Sequence, residues 1–307
     1  MLKRRGFTLL ELLVSIVLLG IVGLAMARLM TAMLRVTTAQ VQVAGAQGTS
    51  RSGVLAIPSE FREIGYDTLP GVGNDGDLIA IAANRITFRA MRGMGNTCAV
   101  SFVGGNTLTE LRIRKPTFGM RPLPVVQDSF RLFVENDKSL GGDDQWVSLD
   151  VTAIDNSSTC GAFEAIRLTI GSSPVHTGSV TTNILGTEVW VGGPVRWFER
   201  MEYAPFIDGT TGRTYIGARR LNLNNTLDPM IGPLPDSTGF SLTYYDADNV
   251  VLDPTNAANK LKVRSIGINL TGTGTAPVSL YGGSSRARGN SPVFTRVALR
   301  NNLRPAP

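Results

Sequence analysis

The sequence predicts an α+β chain: one long N-terminal helix, a transmembrane half plus a stalk, packed on a large and mainly antiparallel β head. Three observations predict it. From Phe7 to Ala27 the only strongly polar side chains are Thr8, Glu11 and Ser15, and Arg28 closes the run. Between Arg28 and about Ser52 the apolar residues Leu29, Met33, Val36, Val43 and Ala44 fall mostly on helical spacing, with no proline before Pro58. Beyond Pro58 the chain turns to short β-branched and aromatic runs punctuated by Gly, Asn, Asp and Pro, many of them alternating apolar with polar.

Each element rests on those patterns. Residues 7–27 at about 1.5 Å per residue span roughly 31 Å, enough for a hydrocarbon core of about 30 Å. Lys3, Arg4 and Arg5 precede the run and no cation lies within it, so Met1 is expected in the cytoplasm and the rest of the chain outside. The stalk is assigned to residues 28–57. Phe7 to Ser52 as a single helix would be roughly 69 Å long, with its outer half on the head, and Gly45, Gly48 and Gly53 weaken its end. The head occupies 58–307. It opens with a short helix over Ser59–Ile64, and its strands include Arg85–Arg89, Leu108–Arg114, Phe163–Ile170, Thr187–Val191, Phe240–Tyr245 and Val263–Leu270. No run after Ala27 is long enough for a second span, and no fixed-period repeat occurs. With 307 residues and 43% hydrophobic content the chain has material for a sizeable core.

A single carboxylate inside a membrane-length apolar segment is costly to bury and calls for a partner, so Glu11 is a functional candidate. A secretory signal peptide is the competing reading, with Ala25 and Ala27 imitating a cleavage site. The order of features argues otherwise: Gly6 stands between the charges and the apolar run, so a cut after it would remove the basic leader and keep the helix.

Gly6-Phe7-Thr8-Leu9-Leu10-Glu11 resembles the class III signal of type IV prepilins and type II secretion pseudopilins. The resemblance implies that residues 1–6 are a leader removed by prepilin peptidase, that Phe7 is N-methylated, and that the helix joins a filament. It also implies that Glu11 pairs with the α-amine of a neighbouring subunit and sets axial register, since neutralising two buried charges together costs less than leaving either alone. A Glu11 that is protonated or facing headgroups is the plainer account.

A second, weaker resemblance rests on the order of several segments. Arg62-Glu63-Ile64-Gly65-Tyr66, Gly239–Asp246, Lys262–Leu270 and the ending Phe294–Asn301 are together similar to the large PilW-type minor pilins and the related GspJ pseudopilins. Residues 95–235 match no pattern of that kind. The two resemblances together imply a minor pilin that helps initiate or cap a type IV pilus, with adhesion or DNA uptake as further roles. A type II secretion pseudopilin is the alternative, and a membrane-tethered extracytoplasmic enzyme or binding module a more distant one. The partners implied are other major and minor pilins, prepilin peptidase and methyltransferase, the assembly machinery, and the inner membrane before assembly.

The formal charge is +6, and removing residues 1–6 takes away three cations and leaves +3. Its distribution is uneven. After Asp253 there are eight cations and no acid, so residues 7–253 carry −5. Arg286, Arg288, Arg296 and Arg300 are the candidate basic contact face, for an acidic pilin, anionic lipid or nucleic acid. Solvated strand positions facing acids of the same head are the plainer reading, and the favoured one. Cys98 and Cys160 are the only cysteines, they fit no metal-ligand spacing, and a disulfide between them is expected in an oxidising compartment.

Tests for chemistry come back weak. Gly71–Gly76 formally matches GxGxxG without a leading strand or a following helix. His176, the sole histidine, stands in the loop-like Ser172-Ser173-Pro174-Val175-His176-Thr177-Gly178, with no Ser or Cys constellation that suggests a triad. Asp75 with Asp77, or Asp143 with Asp144, gives too few oxygens for more than a faint suggestion of Ca²⁺. Trp190, Trp197, Tyr203 and Phe206 are expected to fill a β core rather than form a contact patch. No cofactor, metal or catalytic set is expected, and the chain is not read as an enzyme.

Overall fold

A computed structural model of the chain describes residues 8–64, 77–103, 107–134, 145–171, 191–223, 226–277 and 288–299. Its first element, α1, runs from Leu9 to Arg62 without a break, 54 residues or roughly 81 Å. The expected stop near Ser52 and the separate helix at Ser59 are corrected: both belong to α1, which passes straight through Pro58. A proline inside a helix costs about 3 kcal/mol. Here the turns around it carry Ile57 and Phe61, both fully buried, and each such side chain contributes about 1.5–3 kcal/mol on burial. Packing therefore offsets the lost hydrogen bond.

Fourteen strands come after α1 among the described residues. Ten form one sheet: β1 (Leu78–Ile81), β2 (Ile86–Val103), β3 (Thr107–Phe118), β4 (Ser129–Val134), β5 (Gln145–Leu149), β6 (Val151–Cys160), β7 (Phe163–Ile170), β8 (Pro194–Ile207), β9 (Thr214–Arg220) and β10 (Asp228–Leu234). Its main path is β10–β9–β8–β2–β3–β7–β6, with β1 on β2 and the β4–β5 pair on β8. The second sheet has β11 (Phe240–Tyr245), β12 (Val251–Leu252), β13 (Ser265–Thr273) and β14 (Asn290–Ala298), in the order β12–β11–β13–β14. Every described pairing is antiparallel, which lets sequence neighbours such as β2–β3, β6–β7 and β8–β9 join by short turns, while β2–β8 and β3–β7 pair across long stretches of chain. Of the strands read from sequence, Phe163–Ile170 and Phe240–Tyr245 coincide with β7 and β11, Val263–Leu270 overlaps β13, and Arg85–Arg89 and Leu108–Arg114 mark only parts of the longer β2 and β3. The sixth falls at 187–190, outside the described residues, and Val191 stands in a turn.

Two apolar cores result. One joins the end of α1 to both sheets: Phe61 packs edge-on against Phe88 and stacks near Tyr203, with Tyr244, Ile268 and Leu270 in the same cluster. The other contains no helix residue and is made by β3 to β8, around Leu111, Phe130, Ile166, Leu168 and Trp197. The long strands β2 and β8 run through both. At a register shift of the β2–β8 ladder, Gly93 leaves the space a Cβ would take to the Trp197 ring. Trp197 and Tyr203 are thus core residues, buried at 0% and 3% exposure, and Phe206 is half-buried; Trp190 lies outside the described residues.

Candidate functional site: a free apolar helix with one acid

The head grips only the second part of α1. From Leu9 to Val36 the large apolar side chains are 48–84% exposed, and the first buried residue is Ala39. That free apolar stretch is roughly 42 Å long, more than a hydrocarbon core requires. Leu29, Met33 and Val36, read from sequence as stalk positions, are all more than half exposed. Their cover has to come from lipid or from another chain, because contiguous exposed apolar surface of this extent is not stable in water.

Glu11 sits at the third position of the helix and closes a capping box with Thr8. The Thr8 N–H and Oγ1 both donate to Glu11 Oε2, at 3.0 Å each, and the Glu11 N–H donates back to Thr8 Oγ1 at 3.3 Å. Within a single chain, then, the carboxylate already has partners at its own helix start. The sequence reading missed this, although Thr8-x-x-Glu11 is the signature of such a cap. Among the described residues Oε1 takes no part in the cap. Gly6 and Phe7 lie outside the described residues.

The gripped part of α1 is held by small and polar side chains. Ser50 Oγ donates to the Ser291 carbonyl at 2.5 Å and accepts from the Gly272 N–H at 3.0 Å, while Thr49 Oγ1 donates to the Gly232 carbonyl at 3.1 Å. A Cβ on Gly53 would overlap the Leu270 side chain, and one on Gly272 would overlap the Ala46 carbonyl. Gly53, expected to weaken the helix, instead allows its contact with β13. Near the end of α1, Arg92 on β2 bridges Glu60 of the helix (3.0 Å) and Glu199 of β8 (2.8 Å). Burial works against the Arg92 charge, but the two carboxylates outweigh it and hold the guanidinium more firmly protonated than usual. The helix and the head are thereby joined as one piece.

The basic face is only partly described, because Arg286 and Arg300 lie outside. Arg296 stacks over the Tyr245 ring at 3.9 Å and donates to Ser265 Oγ and Asn249 Oδ1. Among the described residues Lys260, Lys262, Arg264, Arg288 and Arg296 form no ion pair, so the favoured reading of cations matched by acids of the same head does not describe their direct contacts. Asp246, Asp248 and Asp253 nevertheless lie on the neighbouring turns, which keeps that region of mixed charge.

Cys98 and Cys160 are joined by a disulfide with Cα atoms 6.2 Å apart. Among the described residues no group of three or more His, Cys, Asp and Glu is placed to hold a metal; Gly71–Gly76, Asp75, Asp143, Asp144 and His176 lie outside them. Asp77 is buried at 2% exposure.

Comparison with known families finds the prokaryotic N-terminal methylation motif at residues 1–27. No curated protein and no solved structure gives a significant match. The motif points to a structural, non-enzymatic role, implies contact with prepilin peptidase and pilin assembly machinery in general, and fits an anchor in the inner membrane. With the long apolar helix that continues from it, this type IV prepilin-like class III signal supports a type IV pilin-like or pseudopilin protein.

Proposed function

We propose that the chain is a minor pilin, a low-copy filament subunit that helps initiate or cap type IV pilus assembly. The observation that carries this reading is the free apolar half of α1, rigidly continuous with a large head. A bulky head is awkward to repeat at every position of a close-packed filament, which favours a few copies over many. In this reading the leader is removed after Gly6, Phe7 is N-methylated, and the free amine so created meets Glu11 of an adjacent subunit. The membrane orientation is the one the flanking cations favour, with the head outside until the helix enters the filament.

A secretion pseudopilin shares the same N-terminal physics and differs in its partners. Deleting the gene separates the two: loss of surface filaments from a subunit present in few copies supports the pilus role. Normal filaments with secreted enzymes retained in the cell would move the chain to the secretion system. Replacing Glu11 with Ala should block incorporation while leaving leader removal intact; normal incorporation would sink the register role. Adhesion and DNA uptake would use the face bearing Arg286 and Arg288, and salt-sensitive DNA binding by the head, lost on neutralising both, is their test.

A further inference from the structure

The β6–β7 hairpin leaves the plane of its sheet. Pairing between β3 and β7 ends at Arg114 with Ala165, whereas β3 runs on to Phe118 and the hairpin runs on to the Cys160–Phe163 pair. In a flat sheet β2 and β6, three strand spacings apart, would lie roughly 14 Å from each other. Cys98 on β2 and Cys160 on β6 are nonetheless bonded, with Cα atoms 6.2 Å apart. The tip of the hairpin therefore folds across the outward face of β3.

Ile154 packs against the second core and Asp155 pairs with Arg167 at 3.2 Å, but beyond Asp155 little besides the disulfide keeps the tip there. No residue from Thr152 to Glu164 is buried. The tip touches β3 through Arg112 Nη1 donating to the Thr159 carbonyl (2.9 Å), Lys115 Nζ donating to the Asn156 carbonyl (2.6 Å), and the Arg114 guanidinium over the Phe163 ring (3.6 Å). A Lys115–Glu164 pair at 3.6 Å has its carboxylate 81% exposed. Exposed contacts of this kind hold weakly, and a two-stranded hairpin is marginal by itself in water.

We propose that residues 156–164, beyond the part of β6 anchored at Ile154 and Asp155, are a redox-dependent strap. While the Cys98–Cys160 bond is intact the strap lies against the basic strip, half-covering Arg112 and Lys115 and holding Phe163 under the exposed Arg114; when the bond is reduced it lifts, and the helix-side core stays folded because no residue of the strap belongs to it. The closing step is thiol–disulfide exchange. One thiolate attacks a disulfide-bearing oxidant of the outer compartment, the second displaces it from the mixed disulfide, and the two electrons and two thiol protons end on the oxidant's reduced pair. The strap thus closes only after the head has left the reducing side of the membrane. This goes beyond the filament role and does not depend on which filament the chain joins.

The test is hydrogen exchange read by mass spectrometry on the full chain in detergent micelles, with and without a dithiol reductant, alongside a Cys98→Ser/Cys160→Ser double variant. On reduction, amides of 156–164 should exchange at least about tenfold faster, and the Lys115 amine should be acylated faster. Residues 39–62, 265–273 and 290–298 should keep their protection. Unchanged exchange at 156–164 with both thiols shown free would overturn the proposal, and so would loss of protection across both cores. Reduction of the already folded chain carries the test if the double variant does not fold.

Discussion

The two halves of α1 differ in a way that reverses the usual relation between hydropathy and burial. Residues 9–36 are almost entirely apolar and exposed, whereas the buried positions of the second half are Ala39, Ala46, Ser50, Gly53, Ile57, Pro58 and Phe61. The half that touches its own head is made of small residues for most of its length, because α1 approaches β13 and β14 closely enough for backbone and hydroxyl contacts. Large apolar side chains take over only in its last turns, where α1 enters the core shared by the two sheets. The apolar half is therefore not a core helix lacking a core. It is a surface reserved for a medium or partner outside this chain.

A pair of truncations puts that contrast under the greatest strain. Phe61→Ala should lower the unfolding free energy of the head by about 3–5 kcal/mol, through lost burial and the cavity left behind. Leu19→Ala in the free half should change it by less than about 0.5 kcal/mol. Chemical unfolding of the full chain in detergent measures both, and equal effects would mean that the free half is packed on the head after all. Gly53→Val comes next: a β-branched side chain forced against Leu270 should cost about 1–3 kcal/mol by overpacking. The same change at Gly20, which has open space around it, should leave the head untouched.

A smaller effect is expected at Ser50. Replacing it with Ala removes the partner of both the Ser291 carbonyl and the Gly272 N–H and should cost about 1–2 kcal/mol. Smallest of all for the head is Thr8→Val. It removes the helix cap, worth about 1 kcal/mol to the first turn, and should leave the melting of the head unchanged while fraying amides near Leu9 to Leu12 in hydrogen exchange. A shift in head stability from Thr8→Val would show that the two halves communicate.

Much of the fold was legible because its patterns are local. The alternation in Phe163–Ile170 and Phe240–Tyr245 marks strands whose bounds the structure reproduces, since one face of each is buried and the other is not. The end of α1 was not legible. Pro58 and three glycines argue locally for a stop, and only contact with β10, β13 and the Phe88–Tyr203 cluster lets the helix continue. At the candidate site the free apolar run and Glu11 stood out in sequence, while the Thr8 cap was overlooked in favour of a partner in another subunit. Arg92 gave no signal at all, because its partners Glu60 and Glu199 come from distant parts of the chain.

The prepilin-like signal, the membrane-length helix and the β character of the head could all be read from residue type and short-range spacing alone. Tertiary packing was needed to settle where the head begins to hold the helix, how β2 and β8 serve two cores, and that the β6–β7 tip crosses β3 to meet Cys98. Those outcomes depend on which residues far apart in sequence come within a few ångströms, and no local periodicity encodes that distance.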